Sequence, residues 1–220
     1  MNSLSDLLLT ISNALLVPDL LAALALLVLV VAECGLIAAA VIHRRRAERV
    51  LVPILDRLRG RDPARRREAM ATYLALDPVP AGIPFAFAAL GERAWRASVR
   101  ALALEEAAIG SERRISRLTM CVRLGPMVGL VGTLIPLGPG LVALSQGDLA
   151  LMASHLTVAF TVTVVGLATA AVGFLLAGVR RRLDSIDLAR LAFLADCLAE
   201  QEAPAETSAA LAGEPIAEAA

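Results

Sequence analysis

The chain contains no lysine, so all 21 basic residues among its 220 residues are arginine. No arginine lies in residues 1–43 or in residues 124–179. Aromatic residues make up only 3% of the sequence and charged residues 19%, whereas 58% is hydrophobic. An ordinary soluble domain rarely carries so much apolar surface, so the composition predicts a chain that contacts membrane lipid. The arginines flank the apolar runs, as the positive-inside rule describes, and this placement argues against nucleic-acid binding.

Cysteine and histidine, which often serve in catalysis and metal binding, are also scarce. Cys34, Cys121 and Cys197 are widely separated and form no CxxC pair, which argues against a zinc site or a disulfide framework. His43 stands among arginines, and His155 is either an interfacial residue or a titrating group. No glycine-rich phosphate loop follows a predicted strand. We therefore predict no enzyme activity, no catalytic residue, no metal and no cofactor.

Three apolar runs are long enough to cross a membrane, because a helix needs about 20 residues to span a hydrocarbon core of roughly 30 Å. They define span one (17–43), span two (118–145) and span three (149–180). Only a short polar turn, Ser145 to Asp148, separates spans two and three, which predicts an antiparallel hairpin. Arginines follow span one, precede span two and follow span three. We therefore expect a multi-pass inner-membrane protein with its N-terminus outside and its C-terminus in the cytoplasm.

The segments before and between the spans are also expected to be helical. Residues 1–16 are amphipathic and are expected to lie along the outer membrane interface. Residues 44–117 are predicted to form a cytoplasmic insertion of short helices, because proline interrupts helices. The expected breaks are at Pro53, Pro63, Pro78, Pro80 and Pro84.

Two long helices are expected to extend beyond the membrane. One starts near Phe85 and enters span two, since no proline occurs between Pro84 and Pro126. The other extends span three through residues 181–200, which keep a helical spacing of apolar residues. Residues 201–220 are acidic and rich in alanine and proline, which predicts disorder. The predicted fold is therefore an all-α membrane protein with three transmembrane helices, a helical cytoplasmic insertion and long extensions of spans two and three.

Polar residues within the spans are the candidate functional groups. Thr133 lies ten residues after Arg123, which places it roughly 15 Å along the helix, near mid-membrane. Thr161 and Thr163 lie in span three, and membrane threonines commonly bond to their own backbone. Glu33 is the only acid in the interior of span one, at a depth like that of Thr133 when counted from Arg44. Glu33 is expected either to act in an ion path or in binding a neighbour, or to be a buried structural group.

Two motifs in the hairpin resemble those of the MotA/TolQ/ExbB proton channel family. They are Gly125–Thr133 (GPMVGLVGT) and Ala159–Leu167 (AFTVTVVGL). The resemblance implies that Thr133 and Thr163 face an ion path. It also implies roles for the packing residues, which are Gly129, Gly132, Gly166 and Pro126; the glycines would permit close packing, and the proline would set a bend. Where ExbB and TolQ relatives commonly carry a glutamate, this chain has Val158, and Pro136 and Pro139 also differ from the best-known members.

The resemblance further implies a function and an assembly. Five copies are expected to surround two copies of a single-span ExbD/TolR/MotB-like partner with a membrane aspartate, all in contact with membrane lipid. The subunit would conduct protons or sodium ions and couple that flow to motion of the partner, driving transport or envelope work. Two alternatives remain open from the sequence. One is a non-conducting scaffold of an envelope or secretion complex, and the other is an accessory subunit of a metal or cofactor uptake system.

Overall fold

The computed structural model describes residues 2–212, with the side chains of residue 11 and of residues 14–202. Its α-helices are α1 (Asn2–Leu58), α2 (Pro63–Leu74), α3 (Ala86–Leu90), α4 (Ala97–Ser145) and α5 (Leu149–Ala212). Two 3₁₀ helices, Ile83–Phe85 and Gly91–Trp95, flank α3. Over the described residues there is no strand, and α1, α4 and α5 are each long and apolar enough to cross a membrane. The predicted all-α fold with three spanning helices is therefore confirmed.

Helix α1 continues through both of its prolines, Pro18 and Pro53. The prediction that Pro53 ends a helix is therefore wrong. No break separates the predicted outer helix from span one either, since α1 is continuous from Asn2. A proline inside a helix removes one backbone hydrogen bond. Around Pro53 the neighbouring side chains of Leu51 and Ile54 are buried in a hydrophobic core, and we attribute the persistence of the helix to this packing.

Proline does mark the helix boundaries farther along the insertion. Pro63 opens α2, and Oδ1 of the preceding Asp62 accepts a hydrogen bond from the Ala64 N–H at 3.0 Å. Residues 75–82, which contain Pro78 and Pro80, form no helix. The long fourth helix starts at Ala97 rather than near Phe85. Gly91 ends α3 with a φ of 55°, a left-handed conformation that interrupts the helix and that glycine adopts readily.

The predicted hairpin is present between α4 and α5. Gly147 in the turn has a φ of 76°, and Oδ1 of Asp148 accepts a hydrogen bond from the Leu151 N–H at 2.9 Å. Helix α5 includes the predicted extension at residues 181–200. It also continues through residues 201–212, so the prediction of disorder is wrong for that part. The remaining residues of that prediction, 213–220, lie outside the described residues.

The chain divides into two compact units. The membrane unit comprises residues up to Ala38 together with Arg113–Arg180, and the second unit comprises Ala39–Glu112 and residues from Arg181 onward. Large side chains fill the core of the second unit, among them Leu51, Leu58, Met70, Tyr73, Phe87, Leu191, Leu194 and Leu198. The Tyr73 hydroxyl donates a hydrogen bond to the Pro84 carbonyl oxygen at 2.6 Å. Burial raises the pKa of Tyr73 well above its ordinary value.

A network of ion pairs also stabilises the second unit. The Arg44 guanidinium lies 3.0 Å from Asp187 and 3.1 Å from Glu48, and Arg190 lies 3.2 Å from Glu48. Hydrogen bonding to Arg44 lowers the pKa of the Glu48 carboxyl. Burial raises the pKa of Asp187, because desolvation outweighs the attraction of the two arginines. Arg44 and Arg190 therefore take part in the folded structure of the second unit, in addition to contributing positive charge.

Candidate functional site

The backbones of α4 and α5 are in direct contact at two glycines of the hairpin. A methyl group built on Gly166 would lie 2.5 Å from the carbonyl oxygen of Gly125. One built on Gly125 would lie 2.6 Å from the carbonyl oxygen of Gly166. Side-chain carbons do not approach oxygens so closely, so neither position has room for a side chain. Small residues at such crossings let membrane helices pack backbone to backbone.

Two further glycines continue this contact along α4. A methyl group on Gly129 would meet the Thr163 Cα at 3.4 Å, and one on Gly132 would overlap the side chains of Val162 and Asp19. The structure therefore brings the predicted packing residues Gly129, Gly132 and Gly166 together at one helix crossing. Pro126 is exposed and α4 runs through it without interruption, so the bend at this position stays a prediction.

The candidate threonines differ in what their hydroxyls contact. Thr163 lies 3.2 Å from the carbonyl oxygen of Gly129 on α4 and 3.2 Å from that of Ala159 on its own helix, so its one hydroxyl proton is shared between two acceptors. Thr133 donates to the Leu130 carbonyl oxygen at 2.7 Å, and Thr161 donates to that of Thr157 at 2.8 Å. Of the three, Thr163 links the two helices, whereas Thr133 and Thr161 bond within their own helices.

Glu33 lies elsewhere in the membrane unit. Its side chain is buried, and Oε1 lies 3.5 Å from Nε of Arg117. Arg117 precedes Thr133 by sixteen residues, or roughly 24 Å along a helix. The expectation that Glu33 lies at the depth of Thr133 is therefore wrong. The structure places the buried carboxylate beside an arginine and away from the contact between Gly132 and Val162.

The error follows from using Arg44 as the inner end of span one. Arg44 forms its ion pairs with Glu48 and Asp187 within the second unit. It is therefore not a boundary residue equivalent to Arg123, which precedes the hairpin motif directly. Contacts between the helices give a better measure of depth: on α1, Leu26 and Val30 pack against Cys121 and Val128 of α4. Residues earlier in α1 must then lie level with residues later in α4, because the two helices are antiparallel.

Comparison with known proteins agrees with the hairpin motifs. A protein-family model matches residues 90–187, which include α4 from its first residue, the turn and the membrane part of α5. This segment is similar to the MotA/TolQ/ExbB proton channel family, which supports the resemblance of the two motifs. No curated protein and no solved structure matches the chain. The MotA/TolQ/ExbB match covers less than half of the chain and contains both motifs, and it indicates a membrane subunit of the proton-channel type rather than a member of an enzyme family.

Two polar residues of the membrane unit were missed by the sequence analysis. Thr169 is 2% exposed, and its hydroxyl has no hydrogen-bond partner within the described part of the chain. It lies inside the MotA/TolQ/ExbB segment but beyond the motif, so no signal in the sequence distinguished it. Asp19, on α1, lies outside that segment and packs against Gly132. It stands at the start of the apolar run of span one, so the sequence did not mark it as an acid within the membrane.

Within the described residues, no group of three His, Cys, Asp or Glu side chains is placed to hold a metal ion. The polar groups found at the helix contacts of the membrane unit include threonine hydroxyls, the carboxylates of Asp19 and Glu33, and backbone carbonyls near the glycines.

Proposed function

We propose that this protein conducts protons or sodium ions across the inner membrane and couples that flow to motion of a partner protein. The partner would be a single-span protein of the ExbD/TolR/MotB kind with an aspartate in its membrane helix. In this proposal the C-terminus of the subunit lies in the cytoplasm and the N-terminus outside. The motion would drive transport or other work at the cell envelope.

The observation that carries the proposal is the position of Thr163 within the segment that matches the channel family. Its hydroxyl lies between a carbonyl oxygen of α4 and one of α5, at equal distances of 3.2 Å. A hydroxyl both donates and accepts hydrogen bonds, so it can exchange these acceptors for water or for a partly dehydrated cation. Thr133 lies one helical turn beyond Gly129 and would extend the same polar path along α4.

Exposed apolar surface on the hairpin supports assembly with further copies and with lipid. Several large apolar side chains on α4 and α5 are between 60% and 67% exposed in the single chain, among them Leu130, Leu134, Leu141, Phe160, Val164 and Phe174. Lipid or neighbouring subunits must cover this surface. We propose a homopentamer around the partner, so that the ion path lies between subunits and the partner helices.

The energy of the ion gradient is sufficient for mechanical work when several ions pass per step. One charge that crosses a potential of 100 mV releases about 2.3 kcal/mol. A conformational step that costs several times this amount therefore needs several ions. This requirement favours a mechanism in which several ions bind and pass in succession, rather than one large movement driven by a single ion.

One observation favours the non-conducting scaffold as the second candidate function. The hydroxyls of Thr133 and Thr161 are bonded to carbonyl oxygens of their own helices. Such bonds satisfy a threonine in an apolar segment without any role in conduction. In a scaffold the glycine contacts would serve assembly alone.

Ion flux in proteoliposomes separates the two functions. The vesicles contain the full chain with its single-span partner, and a potential drives protons or sodium ions past a fluorescent reporter. We expect flux that requires the partner and that falls to the level of empty vesicles in Thr163→Val and Thr133→Val. Valine keeps the shape of threonine but removes its hydroxyl. Losing one membrane hydrogen bond costs only about 0.6 kcal/mol, so the variants should assemble.

Thr157→Val is the matched control, since Thr157 lies on the same helix, is exposed and bonds to the Ala153 carbonyl oxygen at 2.9 Å. Flux should persist in this variant. Absence of flux from a correctly assembled wild-type complex, or flux that is unchanged in both Thr133→Val and Thr163→Val, would support the scaffold instead.

A further inference from the structure

Asp19 places a carboxylate against the crossing of α4 and α5. A methyl group built on Gly132 would lie 2.7 Å from Oδ2 of Asp19 and 2.9 Å from Cβ of Val162. The carboxylate therefore reaches the backbone of α4 because residue 132 has no side chain. Thr133 follows Gly132 in the sequence, and Thr163 follows Val162. Gly132 and Val162, which meet at this point, therefore each precede a motif threonine in the sequence.

This point lies near the middle of α4's membrane part when distance is counted along the helix. Gly132 is nine residues beyond Arg123 and thirteen before Ser145, which corresponds to about 14 Å and 20 Å along a helix. Val162 is thirteen residues beyond Leu149 on α5. Asp19 is consequently distant from both polar ends of the hairpin, where a carboxylate would meet bulk water.

Among the residues that the structure describes, no basic side chain is paired with this carboxylate. Helix α4 has no titratable side chain between Arg123 and Ser145. On α5 the titratable residue between Leu149 and Val179 is His155, which packs against Gly140, about 12 Å from Gly132 along α4. Farther along α1, Glu33 and Cys34 lie fourteen and fifteen residues from Asp19. Within the part of the chain that the structure describes, Asp19 makes no hydrogen bond or ion pair.

An acid without a counter-charge in an apolar span is costly, and such residues typically mark ion pathways. We propose that Asp19 is a carboxylate of this chain that binds the transported cation at the level of Gly132. The assignment rests on the proposed conducting function. If the cation is a proton, a carboxylate oxygen takes it from water on one side and returns it to water on the other, which regenerates the carboxylate. If it is sodium, the two carboxylate oxygens coordinate the ion, and threonine hydroxyls or carbonyls can complete the shell.

Carbodiimide labelling of the native full chain in liposomes tests the assignment without any mutation. Dicyclohexylcarbodiimide reacts with protonated carboxyl groups in apolar surroundings, and mass spectrometry locates the adduct. We expect Asp19 to be modified faster as the pH falls, whereas Glu33, paired with Arg117, stays largely unmodified. Slower labelling in sodium chloride than in choline chloride would identify sodium as the bound cation, and equal rates would identify the proton. Failure of Asp19 to react at any pH would overturn the assignment.

Flux measurements with the partner present provide the second test. Asp19→Asn should reduce flux to the level of empty vesicles, Asp19→Glu should restore part of it, and Glu33→Gln should conduct. Flux that persists in Asp19→Asn, while Thr163→Val remains inactive, would overturn the role of Asp19 and leave the proposed function intact. Absence of flux from the assembled wild type would overturn the proposed function and the assignment with it.

Discussion

A single methyl group added at residue 166 would force α4 and α5 apart. In Gly166→Ala the new Cβ would lie 2.5 Å from the Gly125 carbonyl oxygen and 3.0 Å from the Gly129 Cα. These are backbone atoms, so no side chain can rotate away and the helices must separate. Gly178→Ala is the matched control, because Gly178 lies on the same helix and nothing lies within 4 Å of its added methyl group.

The size of the effect follows from comparing the two variants. Alanine is favoured over glycine in a helix by about 1 kcal/mol, and both variants gain this amount. Overpacking typically costs about 1–3 kcal/mol, and only Gly166→Ala incurs that cost. We therefore expect Gly166→Ala to be less stable than Gly178→Ala by about 1–3 kcal/mol. Reversible unfolding in mixed micelles, followed by circular dichroism as the fraction of sodium dodecyl sulfate rises, measures the difference. Equal stability of the two variants would refute the direct backbone contact.

Three predictions concern the second unit. Tyr73→Phe should lower the free energy of unfolding by about 1–3 kcal/mol, because it leaves the Pro84 carbonyl oxygen buried without its donor; a control at the exposed Thr72 should be neutral in the same assay. Glu48→Gln should lower stability at neutral pH by at most about 1 kcal/mol, since the side chain is partly exposed. Because the pKa of Glu48 is lowered, its contribution to stability is present above the ordinary value of 4.5 and is lost as the pH falls through the lowered value. A stability difference between wild type and Glu48→Gln that is the same at pH 7 and in acid would contradict this prediction. The thiol of Cys197, which is 2% exposed and has a pKa raised by burial, should react with maleimide only after unfolding.

The hydrophobic pattern was sufficient to predict the helices but not all of their ends. Long apolar runs can form little other than membrane helices, and the polar turn before Leu149 required a hairpin. Pro53 misled the sequence analysis, because whether a proline interrupts a helix depends on how well its neighbours are packed. That packing involves α2 and α5 residues far away in the sequence, such as Met70 and Leu194, and it is not visible in a local pattern.

The candidate site was predicted as far as its motifs extend. The glycines and Thr163 share one helix crossing because their spacing along two antiparallel helices is set by helical geometry. The depth of α1 was not predictable in the same way. It depends on the register between α1 and α4, and the arginines near residue 44 gave a false marker. Asp19 was consequently overlooked and Glu33 was placed too deep.

Arg44 illustrates that one side chain can act both during membrane insertion and in the folded protein. While span one is being inserted, Asp187 has not yet been synthesised, and the arginine acts as a free cation that helps to hold its end of the helix on one side of the membrane. In the folded chain the same guanidinium contacts Glu48, Asp187 and the Leu183 carbonyl oxygen. A lysine at this position would keep the charge that governs orientation. It would lose the planar fork of donors that reaches three acceptors at once, so biogenesis and folding place separable demands on residue 44.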